Sequence, residues 1–133
     1  MQRSVRTLAF LAALFAAGPA WAETDCIIRE FGTAKGVEDR EPVERTTKFV
    51  AEADRIHAYL RLDCSRVEPG RAAYQLRWIF NGRTLRSRDL TVGISPNWRT
   101  WDAMPAIAGN GFVQLFDAEG TLIAEEAFTV SLR

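Results

Sequence analysis

Ala72-Ala73-Tyr74-Gln75-Leu76-Arg77-Trp78-Ile79-Phe80 runs directly into Asn81-Gly82. Tyr74, Leu76, Trp78 and Phe80 alternate with Ala73, Gln75, Arg77 and Ile79. That period of two puts successive side chains on opposite faces of a β-strand. Asn-Gly is the preferred type I′ hairpin pair, because both positions tolerate positive φ. Residues 84–92 therefore return as an antiparallel partner. Within them Leu85 is out of phase with Leu90 and Val92, which predicts a bulge or a switch of sheet between them.

The same period recurs on both sides of this hairpin. Residues 26–33 form a first strand ended by Gly36, and residues 37–53 a long charged connection around Pro42 with a short strand at 46–50. In residues 55–64, Ile56, Ala58, Leu60 and Leu62 share one face, while His57, Tyr59, Arg61 and Asp63 share the other. Glu68-Pro69-Gly70 is turn material. Residues 97–102 precede a loop through Pro105 and Gly109-Asn110-Gly111. Residues 112–117 and 121–130 make a last hairpin, in which Glu125-Glu126 predicts a further bulge. No stretch keeps a helical period. About seven short strands between turns specify an all-β, immunoglobulin-like antiparallel β-sandwich, with a small closed or half-open barrel as the alternative. Ile56, Leu60, Leu62, Tyr74, Leu76, Trp78, Val113, Leu115 and Phe128 are its expected core, with Trp78 at the centre.

The chain has 133 residues, 47% hydrophobic and 26% charged, with 17 basic and 17 acidic side chains. These values suit one globular domain and argue against disorder or a strongly basic nucleic-acid binder. Residues 1–22 form an expected leader. Arg3 and Arg6 precede an apolar run over 8–17, Gly18-Pro19 breaks it, and Ala20-Trp21-Ala22 offers small residues before a cut at Glu23. The run is well short of the roughly 20 residues of a membrane span. The expectation is an exported, periplasmic or secreted, single domain over 23–133, with no membrane insertion after cleavage. In that setting Cys26 and Cys64 read as one disulfide.

Losing Arg3 and Arg6 leaves 15 basic against 17 acidic residues, a net charge of −2. The charges are blocked: −4 over 23–54, +6 over 55–101 and −4 over 102–133. Two readings are open. Neighbouring strands of opposite sign pair across solvated faces, or the middle strands make a basic binding face.

Gly36-Val37-Glu38-Asp39-Arg40-Glu41-Pro42-Val43, Arg77-Trp78 with Asn81-Gly82, Trp98-Arg99-Thr100-Trp101, and Asp117-Ala118-Glu119-Gly120 with Leu122, Ala124-Glu125-Glu126 and Phe128 carry a resemblance. Over residues 36–130 the chain resembles bacterial domain-of-unknown-function family 2914. The resemblance implies an exported or membrane-tethered β-sandwich and brings no catalytic residues. Leu76 stands where the family usually has His. Asp102-Ala103-Met104 replaces the usual Ser-Ser-Lys, and Gly111-Phe112 the usual Trp. Ligand contacts at those positions do not carry over.

Few residues offer chemistry. His57 is the only histidine and has no nucleophile or ligand set near it in sequence. Glu38-Asp39 and Glu125-Glu126 are neighbours on strands, so their carboxylates point apart and do not converge on one bond. No metal or cofactor motif is present. Trp98 and Trp101 fall on opposite faces of a strand, and Trp101 shares its face with Arg99. Either Arg99 and Trp101 form an exposed contact patch, with Arg77 adding to it, or both rings bury and the segment bends at Asp102. A patch of this kind suits a carboxylated glycan or an acidic protein loop. The expected function is a non-catalytic binding module for an envelope protein or a cell-wall glycan. A small structural protein is the alternative, and a hydrolase comes last.

Overall fold

The computed structural model describes residues 26–66 and 73–133. The expected leader over 1–22 and the turn at Glu68-Pro69-Gly70 lie outside the described residues. The described residues form nine strands: β1 (Ile27–Glu38), β2 (Glu41–Arg45), β3 (Lys48–Val50), β4 (Arg55–Asp63), β5 (Ala73–Phe80), β6 (Arg83–Thr91), β7 (Trp98–Pro105), β8 (Gly109–Phe116) and β9 (Leu122–Ser131). They build two sheets, β2-β1-β4-β7 and β3-β9-β8-β5-β6. Two separate sheets make a sandwich and not a closed barrel.

The short strand expected at 46–50 forms as β3, and the count exceeds the expected seven because the charged stretch after Gly36 also makes β2. β1 does not stop at Gly36 but continues to Glu38, and a two-residue turn at Asp39-Arg40 pairs Glu38 with Glu41. Pro42 is tolerated because β2 is an edge strand, where a missing N–H interrupts no further ladder. The chain then crosses to the second sheet, where β3 runs parallel to β9, so the sandwich is not wholly antiparallel.

The Asn81-Gly82 hairpin forms as expected, with φ of 50° and 82°. Trp78 pairs with Arg86 and Ile79 with Thr84, which leaves Leu85 as the extra residue of a bulge. The bulge in β9 falls at Ile123, not at Glu125-Glu126: Leu115 pairs with Ala124 and Phe116 with Leu122. Glu126 instead takes a regular, half-buried position opposite Val113.

All nine expected core residues are buried, and Trp78 is wholly so. Its ring stacks against Phe80 and meets Phe128 edge-on. The Cys26–Cys64 disulfide is present, with Cα atoms 4.4 Å apart. It joins the start of β1 to the end of β4 beside the core, where the Cys26 amide donates to the Tyr74 hydroxyl at 3.1 Å.

Candidate functional site

β4 and β7 are antiparallel neighbours, and their register builds the outer face of the first sheet. Tyr59 stands opposite Trp101 and Arg61 opposite Arg99. Trp98 is partly buried against the core, whereas Trp101 is 38% exposed. The arrangement with both rings buried is therefore not adopted. Arg99 is half-buried, and its Nη1 donates to Glu41 Oε2 at 2.9 Å. Its Nε is buried without a hydrogen-bond partner.

Tyr59 also belongs to this outer face, yet it is only 1% exposed. The tip of the β1–β2 hairpin lies across it, and its hydroxyl donates to the Arg40 carbonyl at 2.8 Å. Burial, and then the nearby Glu41 carboxylate, push the phenol above its usual range. Around it Glu30 pairs with both Arg45 and Arg61. Glu30–Arg61 and Glu41–Arg99 set acids of residues 23–54 against bases of the middle strands, whereas Glu30–Arg45 and Lys35–Asp54 pair within the first block and Arg29–Asp63 runs the other way.

Arg77 does not join this patch. It lies on β5, in the other sheet, so its guanidinium faces the opposite side of the molecule. There it stacks over the Phe116 ring, 4.1 Å from the centroid. Its Nε donates to Gln75 Oε1 at 2.7 Å, and Gln75 Nε2 donates to Asp89 Oδ1 at 3.1 Å. These four side chains line an open cleft of about 510 Å³, bounded at one end by the β8–β9 turn at Asp117 and Gly120. The arginine–aromatic pair sought at Arg99 and Trp101 thus has a counterpart at Arg77 and Phe116. The sequence could not announce it, because the two residues meet only through the β5–β8 register, in which Gln75 pairs with Phe116.

Asp102, which the sequence offered only as the point of a bend, is a buried carboxylate on the inner face. Trp78 Nε1 donates to its Oδ2 at 2.9 Å, and Arg86 and Arg88 each donate to Oδ1 at 2.9 Å. Both arginines come from β6, the facing edge of the other sheet, so the carboxylate clasps the two sheets together. His57 is half-buried on the outer face beside Ala103, and its Nδ1 has no hydrogen-bond partner. Desolvation, and then Arg55, hold its pKa below the usual histidine value. Among the described residues no cluster of three or more His, Cys, Asp or Glu could hold a metal ion.

A crystallised immunoglobulin-like protein from Pseudomonas aeruginosa superposes with a TM-score of 0.54 at 17% identity, over 82% of this chain and 98% of that one. The fold is immunoglobulin-like. CopC from Methylosinus trichosporium OB3b aligns with a TM-score of 0.44 at 15% identity, over 81% of this chain and 95% of that one. A CARDB domain from Pyrococcus furiosus, crystallised with di-metal ions, gives 0.45 at 12% identity, over 83% and 92%. No family model and no curated protein matches the chain in sequence. The shared immunoglobulin-like architecture says how the strands are laid out; function has to be argued from the faces themselves.

Proposed function

We propose that the protein is an exported, non-catalytic binding module, and that its ligand is a carboxylated cell-wall glycan seated in the Arg77–Phe116 cleft. The observation that carries this reading is the way Arg77 is held. Gln75 fixes its Nε and the Phe116 ring supports its plane, while the two Nη groups have no hydrogen-bond partner among the described residues. A guanidinium immobilised with free donors is preorganised for a carboxylate. Asp89, at the cleft wall, is an acceptor for sugar hydroxyls. The disulfide accords with export, because such bonds persist in oxidising compartments. Membership of family 2914 is part of the proposal and rests on the stretches quoted above.

The test is titration of the protein with solubilised cell-wall glycan strands and with an uncharged glycan as control. Arg77→Gln and Phe116→Ala should each weaken binding of the charged glycan at least about tenfold, the loss expected of one charge-assisted contact. Equal binding of both glycans, or no binding of either, would discard the reading.

A further inference from the structure

Two of the stretches that carry the family resemblance, Asp39-Arg40-Glu41-Pro42 and Trp98-Arg99-Thr100-Trp101, meet in space. The Arg99–Glu41 ion pair joins them across 58 residues of sequence. We infer that the outer face of the first sheet is a second binding surface, for an acidic peptide segment, and that the β1–β2 hairpin occupies it as a built-in stand-in for that partner. The surface lies on the opposite sheet from the glycan cleft, so the two readings stand or fall separately.

The floor is made by β4 and β7, with Tyr59 opposite Trp101 and Arg61 opposite Arg99. Three arginines, Arg45, Arg61 and Arg99, share two carboxylates, Glu30 and Glu41. Glu41 belongs to the hairpin, so the floor loses the counterion of Arg99 when the tip lifts, and Arg99 uses only Nη1 while its Nε lies buried without a partner. A carboxylate engaging two nitrogens of the Arg99 fork would satisfy it better than Glu41 does.

The hairpin is held in a way that permits release. Its tip touches the floor through the Tyr59 hydroxyl to the Arg40 carbonyl and through Glu41 to Arg99. Asp39 and Arg40 both adopt positive φ, 50° and 65°, which side chains other than glycine rarely do. These angles belong to the two-residue turn itself, so the hairpin can lift as a unit without remaking its turn. What the tip presents also defines the partner. A backbone carbonyl is followed, one residue later, by a glutamate carboxylate, and that is a polypeptide pattern. An incoming segment with the same pattern displaces the hairpin and covers Tyr59, Trp101 and the arginines in its place.

The experiment uses the full chain and an oligo-glutamate peptide as probe, read at low salt by Trp fluorescence and by amide chemical shifts. An oligo-glutamine peptide and single-stranded oligothymidine are the controls. Glu41→Gln frees Arg99, and Pro42→Gly loosens the hairpin where it packs beside Tyr59 while leaving every floor side chain in place. Each should tighten oligo-glutamate binding about fivefold, because a larger fraction of the protein is then competent to bind. Adding Arg99→Gln to Glu41→Gln should abolish the gain. Circular dichroism of each variant checks that the sandwich persists. Unchanged affinity in both variants overturns the inference, as does equal binding of oligo-glutamine. Tighter binding of oligothymidine would show a general polyanion surface and overturn the peptide assignment. Unfolding of both variants would make the hairpin purely structural, which also overturns it.

Discussion

Trp78 Nε1 and Asp102 Oδ2 are 2.9 Å apart, a hydrogen bond that ties the central ring of the core to the edge strand of the opposite sheet. Asp102 is 4% exposed, and its other oxygen receives Arg86 and Arg88. Removing the carboxylate leaves a buried indole N–H and two guanidinium groups without their acceptor. Asp102→Ala should cost about 1–3 kcal/mol, because the buried indole N–H loses its acceptor while the partly exposed arginines regain water. Asp102→Asn, which keeps an acceptor for Trp78, should cost less. Urea denaturation of the two variants checks the order, and a loss below about 1 kcal/mol for the alanine would show that the clasp does not hold the sheets.

Trp78 and Trp101 should respond differently to truncation. Trp78→Ala should cost about 3–5 kcal/mol, because the ring is fully buried against Phe80 and Phe128. Trp101→Ala should cost about 1 kcal/mol or less, since its ring lies partly in solvent. Chemical denaturation distinguishes them, and a similar loss for both would mean that the face assignment of β7 is wrong.

Gly111 is required for a reason of space. A Cβ there would meet the Ile79 carbonyl oxygen at 2.6 Å and collide with the Phe128 ring. The carbonyl belongs to the ladder of the second sheet and cannot swing away. Gly111→Ala should therefore destabilise by at least about 1–3 kcal/mol, the range for overpacking. An unchanged melting temperature would contradict the close approach of β8 to β5.

The disulfide spans a sequence separation of 38 residues. Opening it should cost about 4 kcal/mol in the chain-entropy account. The pair of changes Cys26→Ser and Cys64→Ser, compared with wild type in guanidinium, measures this. Thiol titration of the native, unreduced protein should find none.

Acid should weaken the fold through His57. Its folded pKa lies below the usual 6.5, chiefly because burial disfavours the imidazolium. The unfolded chain then binds the proton more readily, so this contribution to stability is complete above pH 6.5 and declines as pH falls toward the folded value. Melting temperatures between pH 7.5 and about 5 should fall less in His57→Gln than in wild type. Parallel curves would assign the loss to other groups.

The alternating residues of 55–64 and 73–80 identified their buried faces correctly, because one face of each strand carries an unbroken apolar set. The charged stretch after Gly36 was harder. The short strand at 46–50 was legible and forms β3, but Pro42 and the dense run of acids and bases before it look like a connection, and the chain makes β2 of them because an edge strand tolerates both. The β9 bulge was misplaced for a related reason. Glu126 reads as a break in alternation, but near the rim of a sandwich a half-buried carboxylate fits an inner position.

The sequence by itself determined the all-β class, the Asn81-Gly82 hairpin, the core around Trp78 and the opposite faces of Trp98 and Trp101. Each of these depends on a period of two or on the φ preference of a turn, and such properties are local. Only the tertiary structure decided which sheet holds each candidate residue. Arg77 looked like a companion of Arg99 and belongs to the other side of the sandwich. Asp102 looked like a bend and is the carboxylate that joins the sheets. Glu41 looked like part of a loop and is the counterion of an arginine 58 residues away. Such pairings follow from strand order and register across the whole chain, and no residue type signals them in advance.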